Sequence, residues 1–364
     1  MPEGPLVGVR VVEFASIGPG PFCAMLLSDM GADIIRIDRP SGVAGTGPNA
    51  ALQRGRPSLV LDLKKESDRA LAFRAAAAAD VLIEGNRPGV MERLGLGPEA
   101  LMAANERLIY GRMTGYGQTG PDAHLAGHDI NYLAQTGALD VIGDGKGPPH
   151  PPLNLLGDFG GGALYLAFGI VAALYERERS GRGQIIDAAI IDGSASLMAM
   201  VHGAFATGSL SRRHDANLLS GAAPFYRCYV CADGKYIAVG AIEPQFYQKF
   251  LSAMEVQDFA QYQQRDASFW PELSATLEAK FATKPREHWL ALLTPLDACI
   301  NAVLTVEESI AHPHARERSM FVDVAGVALP APAPRFSRTP GAIQGAAAKP
   351  NEGGREALAR WNVS

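Results

Sequence analysis

Short apolar, β-branched runs alternate with helix-period stretches through the first half of the chain. Val9 to Phe14 and Asp33 to Asp38 read as strands. Between them Gly18-Pro19-Gly20-Pro21 breaks the pattern, and Phe22 to Met30 reads as a helix closed by Gly31. Leu59 to Leu63, Val81 to Glu84, Leu108 to Thr114 and Gln184 to Ala189 continue the strands. Glu66 to Ala79, Pro98 to Asn105, Asp129 to Thr136, Asp158 to Arg179 and Asp192 to Thr207 continue the helices. Such alternation predicts a doubly wound, Rossmann-like α/β domain, whose ligands bind beyond the carboxyl ends of the strands. The loop after the first strand has no G-x-G-x-x-G, and its prolines remove amides that a pyrophosphate would need, so no dinucleotide site is predicted.

From Phe225 the pattern changes. Tyr226 to Val230 and Tyr236 to Val239 flank an Asp233-Gly234 turn and read as a hairpin. Helical stretches follow at Gln245 to Met254, Pro271 to Ala282 and Pro285 to Leu293, which predicts a smaller α+β domain. Four prolines between 330 and 340 mark an extended return segment, and Gly354 to Trp361 reads as a final helix. The predicted division is a large domain of residues 1–190 and 330–364 and a small domain of 225–308. A linker spans 191–224, with the polar run Arg212-Arg213-His214-Asp215 inside it, and a return linker spans 309–329.

Composition narrows the function classes. With 364 residues, two domains are expected, and 47% apolar against 20% charged residues is the balance of an ordered globular chain. A net charge of −5 argues against nucleic acid as a partner. Four cysteines make no disulfide framework, and Cys228-x-x-Cys231 has no second pair to complete a zinc site, so no metal is expected. The longest apolar run, Ala163 to Tyr175, falls short of a membrane span, so no membrane association is expected. Met1-Pro2-Glu3-Gly4 has none of the features of a signal peptide, and the final Trp361-Asn362-Val363-Ser364 is no recognisable peroxisomal address; a cytoplasmic location is the expectation.

Two glycine-flanked stretches carry the candidate chemistry. Gly127-His128-Asp129-Ile130-Asn131-Tyr132 places an imidazole, and Gly157-Asp158-Phe159-Gly160-Gly161-Gly162 a carboxyl, at predicted loop-to-helix junctions. Two bases of different kinds can take a proton from one face of a carbon and return one to the other. Taken alone, Asp158 reads first as a helix cap, and Asp158-Phe159-Gly160 mimics a kinase motif whose companion motifs are missing.

The same stretches carry a family resemblance. Gly127 to Tyr132 resembles the signature of the α-methylacyl-CoA racemases, within the family III CoA-transferase superfamily. Further matches are Arg36-Ile37-Asp38-Arg39-Pro40, Leu61-Asp62-Leu63-Lys64, Arg87-Pro88-Gly89-Val90 and Arg112-Met113-Thr114-Gly115-Tyr116-Gly117-Gln118. Pro152-Leu153-Asn154-Leu155 and Val239-Gly240-Ala241-Ile242-Glu243-Pro244-Gln245-Phe246-Tyr247 extend the likeness, which runs from about residue 6 to about 340.

The resemblance implies an interlocked, ring-like homodimer, no metal or nicotinamide, and a 2-methylacyl-CoA thioester as substrate. Coenzyme A enters as part of that substrate, so no separate cofactor is expected. His128 and Asp158 are then the two bases, the Asp129 amide stabilises the enolate oxygen, and Glu243 of the partner subunit orients His128. Arg39 is the foremost phosphate contact, with Lys64, Arg87 and Arg93 behind it. Leu61, Asp62, Leu63, Lys64 and Gly85 cradle the adenosine. Met113, Thr114, Gly115, Tyr116 and Tyr132 line the pantetheine and acyl channel, and Gly127, Ile130 and Asn131 of the signature count among the substrate-binding residues.

The competing enzyme class is a CoA transferase in which Asp158 is the nucleophile; transferases of this superfamily generally lack a histidine at position 128. A non-catalytic acyl-CoA-binding scaffold is the third reading, and the intact His128, Asp158 and Glu243 speak against it. Three sites depart from the racemase pattern. Arg227-Cys228 brings a cation and a thiol that would alter the acyl pocket if they face it, Asn301-Ala302-Val303 replaces Thr-Pro-Val, and Asn86 stands where an aromatic is common.

Overall fold

The computed structural model describes residues 3–41, 48–143, 145, 147–211 and 216–364, so the Arg212-Arg213-His214-Asp215 run lies outside the described residues. The chain forms two compact units. One comprises Met1–Ala138, Pro151–Met198 and Glu317–Ser364; the other comprises Leu139–His150 and Ala199–Arg316.

The first unit is built on six parallel strands: β1 (Arg10–Phe14), β2 (Asp33–Asp38), β3 (Ser58–Val60), β4 (Val81–Glu84), β5 (Ile109–Thr114) and β6 (Ile185–Ala189). Their order in the sheet is β3-β2-β1-β4-β5-β6. Alternate residues feed two cores: Val12, Ile35, Leu82 and Tyr110 face one layer of helices, and Val11, Ile34, Val81 and Ile109 face the other. Burial on both faces is why the strands read as nearly continuous apolar runs. The direction of winding reverses between β1 and β4, which opens a crevice beyond their carboxyl ends.

Three helices differ from the sequence reading. The helix after β1 starts at Pro19, not Phe22, and runs to Asp29. First-turn amides have no intrahelical acceptor, so prolines at 19 and 21 cost nothing there. The helix expected from Asp158 to Arg179 begins at Leu155 with a π-helical stretch, Leu155–Ala163, and continues as an α-helix, Leu164–Ser180. Glycine allows the wide turns to press backbone on backbone: a Cβ at Gly161 would lie 2.4 Å from the Ser194 hydroxyl oxygen, and one at Gly193 would overlap the Gly161 carbonyl. The third helix, expected from Asp192 to Thr207, is two: Ile190–Leu197 and Ala199–Ala206.

The stretch Leu155–Ser180 is 26 residues with a mean hydropathy of 1.6 in its most apolar window, so it is long and apolar enough to cross a membrane, contrary to the sequence expectation. In this unit Leu166, Ile170 and Ala173 bury against the sheet core, and Arg177 is buried on Asp80 at 3.0 Å. The opposite face leaves Leu164, Phe168, Val171 and Tyr175 exposed.

Beneath β1 to β3 lies a set of buried ion pairs. Arg56 meets Glu13 at 2.9 Å, Arg36 meets Asp38 at 3.0 Å, and Arg54 meets Asp29 at 2.5 Å. Glu13 is fully buried, and desolvation raises its carboxyl above the ordinary range even beside Arg56. A two-stranded hairpin, Phe321–Val324 with Val327–Pro330, occupies the region expected to be plain return linker.

The second unit holds an antiparallel sheet of β7 (Tyr226–Val230), β8 (Tyr236–Gly240) and β9 (Ile300–Val303). Helices Pro244–Ala253, Trp270–Phe281 and Arg286–Leu293 pack with it around Phe225, Phe250, Leu277 and Phe281. Cys228 is exposed and Cys231 buried, so their thiols do not converge.

Candidate active site

The site occupies the crevice at the point where the strand order of the first unit reverses. A cavity of about 810 Å³ is lined there by Ala15 and Ser16 beyond β1, by Gly85, Asn86 and Arg87 beyond β4, and by Met113 and Thr114 of β5. His128 and Asp158 line the same cavity.

His128 is the cap residue of helix Asp129–Gln135, with extended backbone at φ −130°. Its own N–H donates to Asn131 Oδ1 at 3.0 Å, while the Asn131 N–H donates to the His128 carbonyl at 2.8 Å. The side chain is exposed to the cavity, as a group that meets a ligand must be.

Asp158 lies in the first turn of the π-helical stretch and is not its cap, which is Asn154. Its N–H donates to Asp129 Oδ2 at 2.6 Å. A Cβ at Gly157 would stand 2.4 Å from that same oxygen, which explains why glycine precedes Asp158. On its other side the Asp158 carboxylate faces Gly18, at φ +72°; a Cβ there would approach Asp158 Oδ2 to 2.8 Å. Pro19 follows at the first position of its helix, so the end that meets Asp158 lacks that amide donor. Burial, then the nearby Asp129 charge, push the Asp158 carboxyl up to about 6, against a smaller opposing effect of His128. Asp129 is also shifted upward by burial, offset by the Asp158 and Gly157 amides that it accepts.

Tyr132 is buried in the cavity lining. Its ring stands edge-on to Tyr116 at 5.0 Å, and its hydroxyl donates to the Gly127 carbonyl at 2.5 Å. Gly115, Tyr116, Gly127, Asn131 and Tyr132 all line this cavity.

A second cavity of about 510 Å³ adjoins the first, sharing Ala15, Asp38, Arg39 and Asn86 with it. Leu61, Asp62, Leu63 and Lys64 line it with Phe14, Val90 and Leu94. Most of the residues expected at the site are thus gathered in two joined cavities.

Four are not. Asp129 lines neither cavity, because its carboxylate turns inward to the Gly157 and Asp158 amides. Ile130 and Arg93 also lie outside both linings. Glu243 belongs to the second unit, where it caps helix Pro244–Ala253. In that unit Arg227 is held by Glu278 at 3.0 Å and lies over the Tyr229 ring at 5.3 Å. The sequence reading passed over Ser16, Gly18 and Asp38 as site residues. Ser16 and Gly18 follow the end of β1 and Asp38 closes β2, and those positions were the available signal.

Comparison with known proteins bears on this geometry. Residues 6–355 match the model of CoA-transferase family III. The chain is 46% identical to the α-methylacyl-CoA racemase of Mus musculus over 349 residues, covering 96% of this chain and 90% of the relative. It is 44% identical to the Homo sapiens protein of the same name, covering 92% and 87%. Among solved structures, a CaiB/BaiF family protein from Brucella suis superposes with a TM-score of 0.87 at 29% identity, covering 99% of this chain and all of the other. With a cavity that pairs an imidazole and a carboxyl, and a match over nearly its whole length, the chain belongs to CoA-transferase family III.

Proposed function

We propose that this chain interconverts the two epimers of 2-methylacyl-CoA thioesters, the activity named for its mouse and human relatives. The observation that carries this reading is the pairing of His128 with an Asp158 whose carboxyl is raised to about 6, in one cavity. The thioester carbonyl acidifies the hydrogen at C2. One base removes that proton from one face, and the other returns a proton to the opposite face. A carboxyl of ordinary acidity would be a poor proton donor near neutrality; raising it toward 6 brings it within range of both tasks.

The enolate oxygen falls to the Asp129 amide at the start of the helix that His128 caps, while the Asp129 carboxylate turns away to the Gly157 and Asp158 amides. The acyl and pantetheine parts take the larger cavity and the nucleotide the smaller, with Arg39 and Lys64 as phosphate contacts. The reading needs no metal or cofactor beyond the coenzyme A of the substrate. A second copy of the chain covers the exposed Leu164, Phe168, Val171 and Tyr175 face, where Phe168 is 74% exposed. Glu243 of the partner subunit then orients His128. The proposed location of this activity is the cytoplasm.

The proposal meets its test in deuterium oxide with one pure epimer of a 2-methylacyl-CoA, with and without a free acid acceptor. Deuterium at C2 and appearance of the opposite epimer, independent of the acceptor, are expected. CoA moving to the added acid without exchange would make Asp158 a transferase nucleophile. In a pH profile of kcat/KM, the epimer that Asp158 deprotonates loses turnover as pH falls through about 6, because protonation removes the base. Asp129→Asn takes away the neighbouring charge that helps to raise Asp158, so this limb moves to lower pH. A limb that stays at the same pH in Asp129→Asn would contradict that cause. Phe168→Glu is expected to give a monomer in sedimentation velocity, together with loss of exchange activity; a variant that remains dimeric would place the interface elsewhere.

A further inference from the structure

Among the described residues that line both cavities, one side-chain pair is hydrogen-bonded. Arg39 Nη2, just beyond β2, donates to Asn86 Oδ1, just beyond β4, at 3.0 Å. Both residues line both cavities. The strand between them, β1, is the one at which the sheet order reverses, so the pair spans the mouth of the crevice.

Asn86 is itself held. Its N–H donates to Glu84 Oε2 at 2.6 Å, and its Nδ2 donates to the buried Met91 Sδ at 3.4 Å. Glu84 is fully buried and accepts from Arg112 Nε at 3.1 Å; Arg112 also grips Glu92 through both terminal nitrogens, at 2.7 and 3.3 Å. Met91 and Glu92 sit on the short helix Val90–Arg93. The amide plane of Asn86 therefore has its oxygen fixed toward Arg39.

The chemistry of the pair is one-sided. Asparagine is neutral, so it orients the guanidinium without cancelling its charge, and one committed N–H leaves four further donors in the fork. A carboxylate at position 86 would form an ion pair with Arg39 and compete with any anionic ligand. An aromatic there, as the family resemblance leads one to expect, would offer a ring face and no hydrogen-bond acceptor of this kind.

We infer that Asn86 is a positioning residue for the nucleotide end of the substrate, holding Arg39 where the two cavities adjoin so that its free donors meet the diphosphate linking the contents of the two cavities. This deepens the proposed function and rests on its assignment of an acyl-CoA to the site. Asn86 takes no part in proton transfer. Its removal weakens the ordering of Arg39 and shows in KM, not in kcat.

The test uses the full chain and the variants Asn86→Ala, Arg39→Ala and the double substitution, with thermal melts to confirm that each is folded. Two substrates are compared, a 2-methylacyl-CoA and the matching pantetheine thioester, which lacks the diphosphate and nucleotide. Binding of free CoA is measured by calorimetry in parallel. For Asn86→Ala we expect KM for the CoA thioester to rise roughly tenfold, about 1.4 kcal/mol, with kcat within about twofold. The truncated thioester should feel the substitution less than about twofold, and Asn86→Ala should add less than about twofold in the Arg39→Ala background.

Equal losses on both thioesters, a fall in kcat alone, or full additivity of the two substitutions would overturn the inference. Should wild type turn over neither thioester yet bind CoA with the same Asn86–Arg39 coupling, the proposed reaction falls and the role of Asn86 stands. Turnover or CoA binding without that coupling removes the role of Asn86 and leaves the reaction. Absence of any CoA binding removes both.

Discussion

The hydrogen bond from the Asp158 amide to the Asp129 carboxylate, at 2.6 Å, is the constraint on which the site depends. Asp129 follows His128 directly, so this bond ties the residue beside the imidazole to the residue that carries the second carboxyl. It also brings two carboxylates together in a partly desolvated place, which is part of why Asp158 is raised to about 6. Geometry and acidity therefore come from the same contact. The neighbouring glycines follow from it: Gly157 leaves room for the Asp129 oxygen, and Gly161 and Gly193 let the π-helical stretch settle against helix Ile190–Leu197. Widened helical turns recur at functional sites, and this one carries Asp158.

The sheet supplies a crevice where its strand order turns back, a place that in other chains of this topology receives a dinucleotide. Here the loop after β1 is rebuilt. Prolines at 19 and 21 take away amides that would cradle a pyrophosphate, and Gly18, at φ +72°, admits the Asp158 carboxylate instead. A helix start rich in free N–H groups would hold that carboxylate ionised and lower its pKa. Substituting proline for a donor thus serves the acid–base chemistry. The phosphate-binding task passes to side chains, Arg39 and Lys64, at the edge of the smaller cavity.

Much of this was legible in the chain. Strands buried on both faces leave uninterrupted apolar runs, and β2 and β4 begin and end where those runs do. The motifs around His128 and Asp158 pointed to residues that share one cavity. What could not be read depends on contacts distant in sequence. Nothing local marks Asp129 as the acceptor for an amide 29 positions away, or Asn86 as the partner of Arg39 47 positions earlier. The π-helical start at Leu155 was hidden because its glycines carry no side chains whose period could betray a wider turn. Proline at the start of the first helix misled for the opposite reason: it breaks helices in their interior but fits their first turn.

The central claim is that His128 and Asp158 serve opposite faces of one carbon. The most direct measurement follows each pure epimer of a 2-methylacyl-CoA in deuterium oxide with His128→Ala and, separately, Asp158→Asn. Each variant keeps one base, so it should wash deuterium into only one epimer, with retained configuration, and the two variants should choose opposite epimers. Inversion by either variant, or exchange of the same epimer by both, would contradict the account.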